Sequence, residues 1–308
     1  MSAIASTVPS VLIPYLAAGT ERIRFGAGGV MLANHAAFSV AEQFGLLSEM
    51  FPGRIDLGLG RAPGSDGLTA AILRAGLPGD GVANYVENVE LLRELLGLGS
   101  TPVGRPVKLD VGGRRYDIHA TPAATVATDI WLLGSSAHSA RIAARLGLPY
   151  VFANHFSIPG MAEVLKIYRD NYVPSVDFLK PQTLLPVNVV VGQTQEEADL
   201  LAGPYRLSSA RLRTGGRLDA QWTVEDVEQC SWTAAERRAS KLGAPHTFVG
   251  TAEGVAAGLS VLAEELGVDE VMVAPSAGSF KGEAMDRAEN RERTLTSLAA
   301  ALLGGAAS

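Results

Sequence analysis

Residues 22–66, RIRFGAGGVMLANHAAFSVAEQFGLLSEMFPGRIDLGLGRAPGSD, hold the pattern on which the fold turns. Arg22 to Val30 is a strand-like run, Ala37 to Met50 repeats its apolar side chains at helical spacing, and Arg54 to Gly60 is a second strand-like run. The strands read as nearly continuous apolar runs rather than alternating ones. Both faces are therefore covered, as where helices pack on the two sides of a parallel sheet. Strand, helix, strand in this order makes a βα unit with a right-handed crossover.

The unit recurs toward the C-terminus. Strands are read at Asp129 to Gly134, Pro149 to Ala153, Leu184 to Val191 and Asp269 to Ala274, giving six in all. Helices are read at Asn84 to Leu96, Ala137 to Leu146, Gly160 to Tyr172 and Glu283 to Leu303, and a further helical stretch, Val8 to Ala18, opens the chain with no strand before it. The class is α/β. Periodicity does not separate an open doubly wound sheet from a closed barrel, which needs about eight strands. Two stretches interrupt the alternation. Residues 97–128 are rich in Gly, Pro and Thr, with a small hairpin expected around Gly112-Gly113, and residues 203–245 carry much charge together with Trp222 and Trp232. Both read as insertions on one domain spanning 1–308.

Composition excludes several classes of function. A net charge of −6 with scattered basic residues argues against a nucleic-acid groove. Cys230 is the sole cysteine, so neither an internal disulfide nor a thiolate metal cluster can form within one chain. No metal-ligand spacing links the five histidines. No apolar run reaches the roughly 18 residues of a membrane span, and the first residues lack the layout of a signal peptide. A cytoplasmic protein is the expectation.

Three segments could carry chemistry. In Gly58-Leu59-Gly60-Arg61-Ala62-Pro63-Gly64 the glycine spacing does not match a dinucleotide fingerprint, and the glycines could simply permit a tight turn. Arg61, however, stands at a strand's carboxyl end, where a guanidinium can grip a phosphate by paired charge-assisted hydrogen bonds. Gly134-Ser135-Ser136-Ala137-His138-Ser139 joins a strand to a helix. Capping accounts for at least one of its serines, and the same geometry aims backbone N–H groups at an anion. Gly26-Ala27-Gly28-Gly29 ends the first strand without side chains, where a flat ring could rest, or where close packing alone is served. Of the histidines, His155 and then His35 follow strands and are the catalytic candidates.

These residues make the chain recognisable. The quoted stretch resembles the bacterial-luciferase-like flavin-dependent monooxygenases, in particular their alkanal-monooxygenase-like subgroup. Residues 130–156 (IWLLGSSAHSARIAARLGLPYVFANHF) and 246–273 (HTFVGTAEGVAAGLSVLAEELGVDEVMV) are similar to two further blocks of that family, in the same order. The resemblance implies a TIM (β/α)8-type barrel and reduced FMN at its carboxyl end. Arg61, Ser136 and Ser139 would lie around the flavin phosphate, and Gly28-Gly29 would form a non-proline cis peptide under the ring. It implies addition of oxygen to reduced flavin and oxidation of a small organic substrate. A flavin reductase would supply the cofactor, and a homodimer would form through the early helices. Relatives of this fold use the deazaflavin F420 instead, which is the alternative cofactor. Members ordinarily begin with a strand, a helix and a second strand ending in a Glu-His-His-like motif. The expectation here is a barrel lacking those first two strands and that histidine, through a misplaced start or a shortened form. That leaves the activity of the chain as written in doubt, and a non-catalytic partner subunit is the rival reading.

Overall fold

The computed structural model describes residues 8–62, 67–75, 79–99, 102–154, 160–216, 220–243, 247–284 and 286–304. They divide into two compact units, residues 1–151 with 163–182, and residues 152–162 with 183–308.

The first unit opens with helix α1 (Pro9–Ala17), strand β1 (Phe25–Met31) and helix α2 (Ala37–Met50). Next come strand β2 (Ile55–Gly60) and helices α3 (Gly67–Arg74) and α4 (Tyr85–Leu95). An antiparallel hairpin of β3 (Val107–Val111) and β4 (Arg114–Ile118) turns at Gly112 and Gly113, both at positive φ, where glycine bears no Cβ penalty. Strand β5 (Asp129–Gly134), helix α5 (Ala137–Leu146), strand β6 (Tyr150–Phe152) and helix α6 (Met161–Asp170) follow. β1, β2 and β5 run parallel, Ala27 opposite Leu57 and Leu57 opposite Ile130, with β6 beyond β5. Leu57, Leu59, Ile130 and Leu132 are buried on one face of their strands, while Trp131 and Leu133, which alternate with the last two on β5, are partly buried. At the amino ends of these strands Arg24 bridges two carboxylates, Nη2 lying 2.5 Å from Asp56 Oδ1 and 3.0 Å from Asp129 Oδ2.

In the second unit, strand β7 (Thr183–Val191) is buried along its whole length. Helices α7 (Gln195–Arg213), α8 (Val224–Gln229) and α9 (Ala234–Gly243) lead to strand β8 (Thr247–Gly250), helix α10 (Ala252–Leu266), strand β9 (Glu270–Pro275) and helix α11 (Glu289–Leu303). Both β8 and β9 pair with β7 in parallel. Thr194, Thr223 and Thr251 cap α7, α8 and α10, each accepting a backbone N–H three residues on. Gly147 and Gly267 end α5 and α10 in the left-handed conformation.

Three expectations are corrected. Parallel strands number seven among the described residues, not six, because β8 is a strand. Its four residues are only partly buried for the first three, so the run lacks a strand's apolar signature. Residues read as loop contain α3, and the closing helix starts at Glu289 rather than Glu283.

Candidate functional site

The site is assembled by the carboxyl ends of β1, β2 and β5, all within the first unit. Glycine sets the spacing of these strands. A Cβ on Gly58 would lie 2.2 Å from the Ala27 carbonyl oxygen, and one on Gly29 would lie 2.6 Å from that of Gly58. The two backbones therefore touch where any side chain would part them. Gly28-Gly29 is a cis peptide, and the β1–β2 register shifts between Gly28 and Val30. At Gly28 the opposite holds: a Cβ there would meet nothing within 4 Å. One side of β1 is thus packed backbone to backbone and the other presents an open, side-chain-free surface.

β5 ends at Gly134, where a Cβ would collide with Ser139 Oγ at 2.2 Å. The chain then turns into α5 through a capping box. Ser136 Oγ accepts from Ser139 N at 3.3 Å, and Ser139 Oγ accepts from Ser136 N at 3.3 Å. Ser139 donates its hydroxyl hydrogen to the Ser136 carbonyl at 2.8 Å and lies 3.0 Å from the Tyr150 hydroxyl. With that hydrogen committed, Tyr150 is the donor of the pair, and both lone pairs of Ser139 Oγ are filled. The exposed Ser136 hydroxyl also lies 3.2 Å from Ser139 Oγ, and its hydrogen can turn from that contact to an incoming oxygen. Tyr150 is fixed from below by stacking on Tyr168 (centroids 5.4 Å apart), whose hydroxyl donates to the Leu148 carbonyl at 2.9 Å. Burial pushes the Tyr150 phenol up to about 12, the Ser139 hydrogen bond opposing only part of that rise.

Beside these elements lies an open cleft of about 840 Å³. Arg61, from the end of β2, lines it together with His138, Arg141 and Arg145 of α5, and Tyr85 and Asp80 stand on the facing wall. Tyr85 donates to the Leu59 carbonyl at 3.2 Å, and burial raises its pKa while the nearby Arg61 charge opposes the rise. The Asp80 carboxylate is turned to its own loop, accepting from Val82 N at 2.9 Å. Arg61, Arg141 and Arg145 form no ion pair with any described residue. Among the described residues lining the cleft, three guanidiniums stand against one carboxylate, a formal excess of two positive charges. Such a cleft selects an anion.

Of the residues singled out in the sequence, Arg61 lines this cleft together with His138 of the serine segment, whereas Ser136 and Ser139 are not among its lining residues. Capping takes up both Ser136 and Ser139, where only one serine had to be so explained. His35 ends the short 3-10 turn Leu32–Asn34 after β1; its side chain reaches the surface, and neighbouring atoms that partly bury it hold the imidazole below the usual histidine range. His155 lies outside the described residues, as do Pro63 and Gly64 of the glycine loop. Sequence reasoning passed over Tyr85, Tyr150, Arg141 and Arg145. The arginines carried a signal, since with His138 they repeat at helical spacing; the tyrosines sit inside apolar runs and read as core.

Parallel βα units with a cleft at the strand carboxyl ends define an α/β class whose functional sites gather at that end. Within that class the chain belongs to the luciferase-like monooxygenase family, whose family model matches residues 4–270. It is 37% identical over 274 residues to a luciferase-like monooxygenase of Escherichia coli (strain K12), an alignment covering 89% of this chain and 77% of that one. Among solved structures it is similar to apo-MsnO8, at a TM-score of 0.78 and 29% identity over 96% of this chain and 82% of that one. Two more distant likenesses concern the fold alone. One is the oxygenating constituent of 3,6-diketocamphane monooxygenase from Pseudomonas putida in complex with FMN (TM-score 0.62, 15% identity, 94% and 81% covered). The other is an F420-dependent secondary alcohol dehydrogenase in complex with an F420-acetone adduct (TM-score 0.61, 14% identity, 87% and 78% covered). The fold is therefore the α/β barrel type of luciferase-like enzymes, and enzyme activity of the monooxygenase kind is supported by family and neighbours alike. Among the described residues no helix is long and apolar enough to cross a membrane.

Proposed function

We propose that the chain is one luciferase-like barrel domain acting as an FMN-dependent monooxygenase, oxidising a small organic molecule with molecular oxygen. The observation that carries this reading is that Arg61, at the carboxyl end of β2, and His138, in the first turn of α5, line one cleft. The residues present fit a flavin mononucleotide. Its phosphate monoester carries roughly −1.5 to −2 charges at neutral pH, which suits the Arg61 guanidinium at the strand end beside the start of α5. Arg61 would hold it by a bidentate contact, the Ser136 hydroxyl would donate to it, and the N–H groups opening α5 would face it. Ser139 would act through Ser136, locked by Tyr150 so that the helix tip stays in place. The open surface at Gly28 would receive the flat ring, with Gly29 keeping β1 against β2.

The bound cofactor, once reduced, supplies the chemistry of oxygen transfer. The chain's own part is to position it, shield it from water and move a proton. His155 is the first proposed base and His35, whose imidazole pKa burial lowers, is the second. Reduced flavin would come from a separate reductase, and a homodimer is the proposed assembly. The deazaflavin F420 is the alternative cofactor, favoured by the same positive cleft. Titration with FMN and with F420, followed by cofactor fluorescence, tests the choice. Binding of FMN together with oxygen uptake that depends on reduced FMN and a substrate panel supports the proposal. Binding of F420 alone selects the alternative. FMN binding without substrate oxidation would select the partner-subunit reading, and binding of neither would reject the account.

A further inference from the structure

His138, Arg141 and Arg145 recur at i, i+3 and i+7 on α5 and all line the cleft that begins at Arg61. With a helical rise of 1.5 Å per residue, Arg145 stands about 10 Å along the axis from His138. A single phosphate held by Arg61 and the helix tip leaves the far part of this row uncovered. The described lining adds Val82, Ala83 and Val86 to this cleft, and Asp80, its one described carboxylate, accepts from Val82 N of its own loop. Arg145 also borders an adjoining cleft of about 520 Å³ with Glu90, Arg93 and Glu94. Arg93 is engaged by Asp177 at 3.5 Å. Two guanidiniums one turn apart on one helix face, neither in an ion pair with a described residue, repel each other and attract an oxyanion.

We propose that His138, Arg141 and Arg145 form a second oxyanion subsite, which takes a phosphate or carboxylate group other than the one at Arg61. Two sources share this chemistry: a free phosphate, and the further anionic group of a cofactor whose chain continues past its phosphate. Only the second source rests on the flavin reading; the subsite rests on the cleft.

The test is calorimetric titration of inorganic phosphate into the FMN-saturated protein at low ionic strength, for the wild type and for the double variant Arg141→Gln with Arg145→Gln. Glutamine keeps the helix propensity at these exposed positions, and circular dichroism checks the fold. The wild type is expected to bind phosphate, and the double variant to bind it about tenfold more weakly, with FMN affinity changed less than about twofold. Equal phosphate affinity in the two proteins, or no phosphate uptake by the FMN-saturated wild type, overturns the subsite. In a second arm F420, whose glutamyl tail extends beyond its phosphate, is titrated by fluorescence. A tenfold loss of F420 affinity in the double variant, with FMN unaffected, identifies the cofactor tail as the source, whereas a loss confined to phosphate identifies the free anion. Absence of FMN binding in the wild type would sink the flavin reading instead. Phosphate titration of the cofactor-free protein then reads the subsite by itself, with the same tenfold difference required.

Discussion

At the scale of single residues, Arg61 carries the proposed anion contact at the end of β2. Arg61→Gln keeps a polar side chain and removes the charge and the fork. It is expected to weaken FMN binding by about 3 kcal/mol, on the order of 100-fold, read by quenching of flavin fluorescence. Tyr150 supports the site from below. Tyr150→Phe removes the donor to Ser139 and is expected to cost about 1 kcal/mol of stability in urea unfolding. Its raised pKa fixes a pH dependence as well. The folded protein holds the phenolic proton up to about 12, whereas the unfolded chain releases it near the ordinary value of 10. The unfolded state then binds fewer protons, so this contribution to stability is complete below pH 10 and is lost as pH rises through 12. Alkaline unfolding followed by circular dichroism should show a decline over that interval, smaller in Tyr150→Phe. An equal decline in both proteins would remove Tyr150 from this role.

At the scale of elements, the helix-capping reading of Ser136 and the strand-spacing reading of Gly58 make separate claims. Ser136→Ala breaks the capping box and is expected to destabilise by about 1 kcal/mol, with a second effect on FMN affinity because the hydroxyl hydrogen is lost. Gly58→Ala would drive a methyl group into the Ala27 carbonyl, against backbone that cannot swing aside. A loss of about 3 kcal/mol, seen as a lowered unfolding midpoint, is expected. Wild-type stability in that variant would mean that the strands are spaced by something other than glycine.

Most elements were legible in the sequence because burial on two faces leaves a strong signal. α2 and α5 fall on the expected residues, as does β5, and the hairpin turns where two adjacent glycines required it. The misses follow from weak signals. β8 is four residues long and half-covered, and α3 lies between Gly and Pro in a stretch whose composition reads as loop.

At the scale of the whole molecule, the fold class came from the order of units, whereas barrel against open sheet required resemblance, since βα units look alike in either. The site was legible only in its anchors. Arg61 and the serine turn stand at strand ends, a position that sequence reveals. Arg141, Arg145 and Tyr85 join them only because α4 and α5 border one cleft, and that neighbourhood is tertiary.

The central claim is that the flavin phosphate is gripped as a dianion by this cleft, and phosphorus-31 NMR of bound FMN reads it directly. The second ionisation of a phosphate monoester lies near 6 in water. With the excess positive charge around it, the bound phosphate should stay doubly ionised well below pH 6, and Arg61→Gln should return its titration toward the free value. A bound phosphate that titrates as it does in free FMN, unchanged by Arg61→Gln, would contradict the account.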